Sequence, residues 1–359
     1  SQYLQLPPVV TYSDDVLYNW KFKDGLTSDD VLPTIDNIDA HTLFTSTRDE
    51  AEFYLTSARM ELKGVEALEL MRLMMDEMFV GDDIATRRIT AYLSELASVI
   101  EVLGDMLLSV KELVSPQVFY DEIRPWFKGE DATAGHRWEF EGLELDPTLQ
   151  RPTELSGASA GQSALVHALD VFLGVDKYSH THAGKRSENK APQQQPRSSF
   201  LKRMQLYMPR HHRAFLNHLA NSPRPLREYV LANGEDSEAL REAYNEAVQA
   251  LKVFRDKHMI VVALYIIGPA RRAASAPESN IVKEDVAVAG PVSPVVEPKG
   301  KEDGELLKRV YGEEGKETEE KEEKEEEALK GTGGTDLVRF LKGVRDQTKG
   351  ALIAGGESP

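Results

Sequence analysis

His258 is the residue of this 359-residue chain best placed to do chemistry. Leu240, Tyr244, Ala247, Leu251, Phe254, His258, Val261 and Tyr265 follow one another at alternating steps of four and three, which puts them on one helical face. An imidazole on such an apolar seam is unfavourable unless its ring nitrogens find a partner. A hydrogen bond would serve, and so would a metal; a satisfied core histidine is the ordinary outcome at such a position. Other segments bear on the choice. Arg255 stands one helical turn before His258, and Asp170 interrupts the apolar run 164–175. A buried carboxylate needs a counter-charge or hydrogen bonds, and Arg255 is the obvious candidate. The run LSGASAGQS at 155–163 is built of small residues, which let backbone or a flat ligand approach closely. The segment LKGTGGTDL at 329–337 is glycine-dense and precedes a helix that Thr335 or Asp336 can cap. On residues alone it fits a phosphate-binding loop or a plain linker, and it lacks the Gly-Lys-Ser/Thr ending of a P-loop.

The elements that must position these residues are helices. The seam around His258 predicts a helix over 236–267, capped by Asp236 or Ser237 and ended by Gly268-Pro269. Long amphipathic stretches run over 49–79 and 83–114, the second with Ile89, Tyr92, Leu93, Leu96, Ile100, Leu103 and Leu107 on one face. Shorter helices are expected at 157–175, 200–208, 209–219, 225–231 and 335–352. Residues 28–39 read as a loop, 176–199 as a flexible insertion rich in Lys, Gln, Ser and Pro, and 277–330 as largely disordered. Period-2 alternation is scarce, so the expected fold class is all-α, with one large helical domain.

Composition narrows the function classes. The absence of cysteine excludes disulfides, thiolate-ligated metals and cysteine nucleophiles, and fits a cytoplasmic protein. No apolar run reaches the length of about eighteen residues needed to span a membrane. A formal charge of −17 argues against nucleic acid as a partner. Much of that excess lies in the Glu/Lys run at 317–327, an ordinary solvated stretch.

Taken together, SAGQS at 159–163, LDVFLGV at 169–175, YMPRHHRAFL at 207–216, LREAYNEAVQAL at 240–251 and KGTGGTDL at 330–337 resemble the indoleamine 2,3-dioxygenase family, haem enzymes that open the indole ring of tryptophan. The resemblance runs from about Leu6 to Leu352, interrupted by two polar insertions. It implies haem b as cofactor, O2 and L-tryptophan or a related indole as partners, and a monomer. His258 would be the proximal iron ligand. Arg255 and Asp170 would form the supporting ion pair, with Ser159 and Ala160 in the small-residue turn beside the haem. Phe53, Tyr54 and Ser57 match the distal helix segment and Phe200 the facing one. Tyr12 and Val16 match the walls of the indole pocket. Thr332, Gly333 and Gly334 belong to a mobile loop that closes over the substrate, with Ser57 and Thr332 nearest the chemistry. In these terms residues 1–48 are a lead-in segment with the distal-pocket linker and 49–275 the haem-binding domain. Residues 276–330 are an acidic insertion, and 331–359 the glycine loop and last helix.

The chain also departs from the family pattern. Gln205 stands where the resemblance implies an arginine for the substrate carboxylate; losing that charge would weaken carboxylate binding by about 1.5–3 kcal/mol. Asp15 occupies a distal-pocket position that is usually small or apolar, where its carboxylate would disfavour an anionic substrate or turn out to solvent. The sequence starts where the family's large domain is about to begin, so the small N-terminal domain is expected to be missing. These departures keep two alternatives open. One is a haem protein of the same fold that binds O2 or small ligands without tryptophan turnover; the other is a dioxygenase for indoles lacking the carboxylate, such as tryptamine. His167 is expected to be a packed core histidine, and His211 and His212 surface or structural ones. His180 and His182 lie in the first insertion.

Overall fold

The computed structural model describes residues 5–26, 31–132, 135, 137–176, 197–275 and 337–354. The described fold is all-α apart from one antiparallel pair, β1 (Trp20–Phe22) and β2 (Ile38–Ala40), in which Lys21 faces Asp39. The loop expected at 28–39 therefore ends in a strand. Three residues of pairing are too short to leave a period-2 signature.

The lead-in segment makes a π-helical turn, Ser13–Leu17, and lies against α1 (Arg48–Val80). Helix α1 starts where Thr47 accepts a hydrogen bond from the Glu50 N–H at 3.2 Å, one orphan donor satisfied in the usual N-cap manner. The Glu50 carboxylate, fully buried, turns back to take the N–H groups of Phe44 and Thr45 (2.8 and 2.6 Å) and the Tyr54 hydroxyl (3.0 Å). Gly81, with φ +71, reverses the chain, and Asp82 caps α2 (Asp83–Leu108) through the Ala85 N–H. The expected helix 83–114 is broken after Leu108, with a separate turn at Val110–Leu113. Four shorter helices follow: α3 (Ala164–Phe172), α4 (Arg197–Gln205), α5 (Arg210–Ala220) and α6 (Leu226–Asn233). Helix α7 (Glu238–Val262) is capped by Ser237, and α8 (Leu337–Gly350) completes the described chain.

The main core is the seam of α1, α2 and α7. Met71, Met74, Ile89, Leu93, Leu96, Ile100, Tyr244, Ala247 and Leu251 meet there, almost without exposed surface. The C-terminal stretch is fastened to α7 by polar contacts. Asn245 exchanges hydrogen bonds with Ile353 (3.0 and 2.9 Å), and the Tyr244 hydroxyl, which donates to Leu173 O at 2.7 Å, also lies 3.4 Å from Ala351 O.

Gly268-Pro269 does not end the helix. After Val262 the chain makes a π-helical turn, Ala263–Ile267, and continues helically over Gly268–Ser275. The wider turn resets the hydrogen-bond ladder, so Pro269 falls in a first turn, where a missing N–H costs nothing.

The small-residue run begins with a close backbone approach. A Cβ on Gly157 would lie 1.7 Å from Phe127 O, and one on Gly129 would lie 2.2 Å from Leu155 O. Two backbones touch here, and glycine alone permits it.

Candidate functional site

The seam of α7 changes character at its C-terminal half. Leu240, Tyr244, Ala247 and Leu251 are sealed, whereas Phe254, His258 and Val261 keep part of their surface accessible before Tyr265 closes the face again. The partly exposed stretch of this face, with the His258 imidazole in it, is taken as the candidate recess. Burial, and then the nearby Arg255 charge, lower the His258 pKa to about 4, so the ring is neutral at pH 7. It has no hydrogen-bond partner among the described residues. A neutral imidazole in a deep, partly open position, with a free ring nitrogen, is the form a metal takes. Among the described residues no group of three His, Asp or Glu could hold a bare ion. A lone imidazole would therefore suit a metal whose other ligands are supplied by a cofactor.

One turn earlier, Arg255 reaches away from the recess. Its guanidinium pairs with Asp170 of α3 and donates to Thr348 Oγ1 of α8, with a longer contact of 3.4 Å to Val344 O. Arg255 and Asp170 are each 7 % exposed and Thr348 is fully buried. The counter-charge expected for Asp170 is therefore present. Its third member, Thr348, has no signal in the sequence, being one hydroxyl on an amphipathic helix.

Facing residues come from α1. Phe53 stacks among Phe119 and Phe127 (4.8 and 5.8 Å), with Tyr54 beside it. Tyr54, Phe119, Phe127, Ala158 and Tyr265 form one apolar cluster, with Phe53, Val261 and Leu264 packed against it. Phe53 and Tyr54 are thus brought to the stretch of α7 just past His258, together with the small-residue turn. Tyr12 and Val16 are buried with Ile38, Leu55 and Ala58. Ser57, half-buried, lies near the Tyr12 phenol. Ser159 caps a single helical turn by accepting the Gly161 N–H at 3.2 Å; Ala160 beside it is exposed. Phe200 makes an edge contact with Phe340 of α8 at 4.6 Å. Thr332, Gly333, Gly334, His180 and His182 lie outside the described residues.

The two departures behave differently. Gln205, at the end of α4, donates from Nε2 to His167 Nδ1 at 3.3 Å, and His167 Nε2 pairs with Gly161 O at 2.9 Å. These partners place the ring proton on Nε2, and burial holds the His167 pKa down, so this histidine is a neutral, satisfied core residue. Asp15 is not turned to solvent: it is 6 % exposed, and its carboxyl has no hydrogen-bond partner among the described residues. Burial, followed by the neighbouring charges of Asp14 and Glu50, raises its pKa to about 7. Glu61, half-buried and bonded to Tyr12 and Ser163, escaped the sequence reading; its place four residues after Ser57, on the same face, is the signal that could have found it.

An all-α domain that presents a neutral, unbonded imidazole one turn from a buried ion pair could hold a metal-bearing cofactor through that ring. A family profile described as indoleamine 2,3-dioxygenase matches residues 1–351, and the chain belongs to that family. It is 34 % identical over 346 residues to the indoleamine 2,3-dioxygenase of Saccharomyces cerevisiae, covering 96 % of this chain and 68 % of the yeast protein. It is 29 % identical to indoleamine 2,3-dioxygenase 1 of Rattus norvegicus (99 % and 70 % covered), and 27 % identical to a 6-hydroxytryptophan 2,3-dioxygenase of Fusarium equiseti (99 % and 72 %). The family comprises haem-dependent dioxygenases acting on tryptophan-type indoles, so this is an oxidoreductase. Among the described residues no helix is long and apolar enough to cross a membrane.

Two consequences are measurable. Breaking the buried pair from one side leaves an uncompensated charge: Asp170→Ala is expected to lower stability by about 3–5 kcal/mol in urea unfolding. Asp170→Leu/Arg255→Met should lose much less than the sum of its single changes; additive losses would show that the pair is not coupled. For Asp15 the folded pKa lies above the unfolded one, so the folded state binds the extra proton between about pH 4 and 7 and loses stability as pH rises through that window. Asp15→Asn is therefore expected to stabilise the protein at pH 8 and to leave it nearly unchanged at pH 4. An equal effect at both values would contradict the buried, unbonded carboxyl.

Proposed function

We propose that this chain is a haem b-dependent dioxygenase that cleaves the indole 2,3-bond of L-tryptophan, with His258 as the iron ligand. The observation that supports this best is the neutral, unbonded His258 imidazole in an accessible recess, in a chain of this family. Haem held there by His258 would supply the O2 chemistry that opens the indole C2=C3 bond, with both oxygen atoms entering the product N-formylkynurenine. The chain's own residues then have binding and shielding tasks. Arg255 and Asp170 hold the α7 backbone that presents His258, and burial, with the Arg255 charge adding to it, keeps the imidazole unprotonated. Phe53, with Phe119 and Phe127 behind it, supplies an apolar wall that excludes water. Tyr12, Val16, Tyr54 and Phe200 complete the walls, and Ser159 and Ala160 leave room beside the ring. Ser57 is the hydroxyl assigned nearest the chemistry on that side; the roles expected of Thr332, Gly333 and Gly334 lie outside the described residues. No acid–base triad is required.

Gln205 and Asp15 favour a second reading, in which the preferred indole carries an ammonium but no carboxylate. Gln205 brings no charge and its amide is engaged by His167, while Asp15 offers a buried carboxyl with no partner among the described residues.

One assay decides between them. Haem-reconstituted, reduced protein is given O2 with L-tryptophan or with tryptamine, and the formyl-kynurenine-type product is followed by absorbance. The main reading predicts product from L-tryptophan, and a rise in its kcat/KM of about tenfold in Gln205→Arg, the worth of a charge-assisted contact. A preference for tryptamine that Asp15→Asn abolishes would establish the second reading. Haem uptake without product from either indole would leave a haem protein of this fold that does not turn indoles over, and would sink both.

A further inference from the structure

Glu61 lies one helical turn beyond Ser57 on α1, where three separate pieces of chain meet. Its Oε1 accepts from the Tyr12 phenol of the lead-in segment at 3.0 Å and from the Ser163 hydroxyl, at the foot of α3, at 2.6 Å. Its Oε2 has no partner among the described residues. Both donors are held from elsewhere. The Tyr12 N–H donates to Gln162 Oε1 at 2.8 Å, and Gln162 Nε2 donates to Gly157 O at 2.9 Å, which ties the lead-in segment to the small-residue turn. Ser163 is 3 % exposed. Ser57 lies near the same phenol.

A carboxyl is an expensive choice for this place. Burial pushes the Glu61 pKa up, against the two hydrogen bonds that pull it down. The cations next to it on α1 are engaged elsewhere, Arg59 by Glu52 at 3.0 Å and Lys63 by Glu66 at 2.6 Å. For packing alone an apolar side chain of similar size would cost less. What the position supplies is an oxygen that accepts two hydrogen bonds at once.

We infer that Glu61 is a positioning residue of the candidate pocket: its Oε1 fixes the Tyr12 phenol, beside Ser57, against the small-residue turn. The inference rests on the haem-dioxygenase reading, in which Tyr12, Ser57 and Ser159 border the pocket. Glu61 acts through Tyr12 and Ser163. Because the task is acceptance and not charge, the amide oxygen of a glutamine suffices, whereas leucine of similar volume cannot perform it.

The test uses the haem-reconstituted full chain carrying Glu61→Leu, Glu61→Gln or Ser163→Ala. One readout is the C–O stretching band of the reduced protein under carbon monoxide, which reports the order and polarity of the pocket without turnover. The other is kcat/KM for the indole. Glu61→Leu is expected to broaden or split the band and to lower kcat/KM by about a hundredfold, the loss that follows a misplacement of about 1 Å. Glu61→Gln should restore a single band and most of the activity, and Ser163→Ala, which removes one donor and keeps the carboxyl, should broaden the band to a lesser degree. A Glu61→Leu band and kcat/KM like those of wild type overturn the inference, as does a Glu61→Gln as damaged as Glu61→Leu. Should Glu61→Leu not fold, an unchanged band in Ser163→Ala overturns it equally. These outcomes leave the dioxygenase reading standing, since that reading fails only if the wild-type chain takes up no haem or opens no indole.

Discussion

The buried pair between Arg255 and Asp170 is the constraint on which the rest of this structure turns. Two charges taken out of water cost several kcal/mol each before their attraction repays it, so the pair is a poor means of stabilising a fold. What it does well is determine position. The two residues are 85 apart in sequence, and the guanidinium that joins them also takes Thr348 from the last helix, 93 residues away. Three helices are thereby locked at one point, one turn from His258. The same charge adds to the burial that lowers the pKa of His258 and leaves its ring neutral.

From that junction the seam of α7 divides. Toward its N-terminus the face is dry and packed against α1 and α2, and Tyr244 and Asn245 hold the C-terminal stretch in place. Toward its C-terminus the face opens, and the aromatic rings of α1 and the 119–127 turn approach it. One helix thus serves as core at one end and as site wall at the other. The polar residues around the recess follow the same economy. Each of Glu50, Gln162 and His167 is buried and answered by hydrogen bonds to neighbouring chain, so the wall is rigid without being apolar throughout.

Much of this was legible in the sequence because it rests on periodicity and on one residue out of place. The step pattern through His258 located the helix and its buried face, and Asp170 in an apolar run required the counter-charge that Arg255 provides. What escaped detection has physical causes. The extension of α7 past Gly268-Pro269 depends on a π-helical turn that no local rule announces. The pairing of Trp20–Phe22 with Ile38–Ala40 is a tertiary matter, too short to pattern. Thr348 and Glu61 are ordinary residues on amphipathic helices until their neighbours are known. The burial of Asp15 was one of two orientations open to it, and only the packing of the lead-in turn against α1 decided between them.

The central claim is that His258 is the side chain that would hold haem iron, and resonance Raman spectroscopy of the reduced, haem-reconstituted protein tests it most directly. The wild-type chain is expected to show an iron–histidine stretching band at one haem per chain. That band should vanish in His258→Gly and return when free imidazole is added to the variant. A band of the same position and intensity persisting in His258→Gly without imidazole would mean that another residue holds the iron, and the account built on the α7 recess would be wrong.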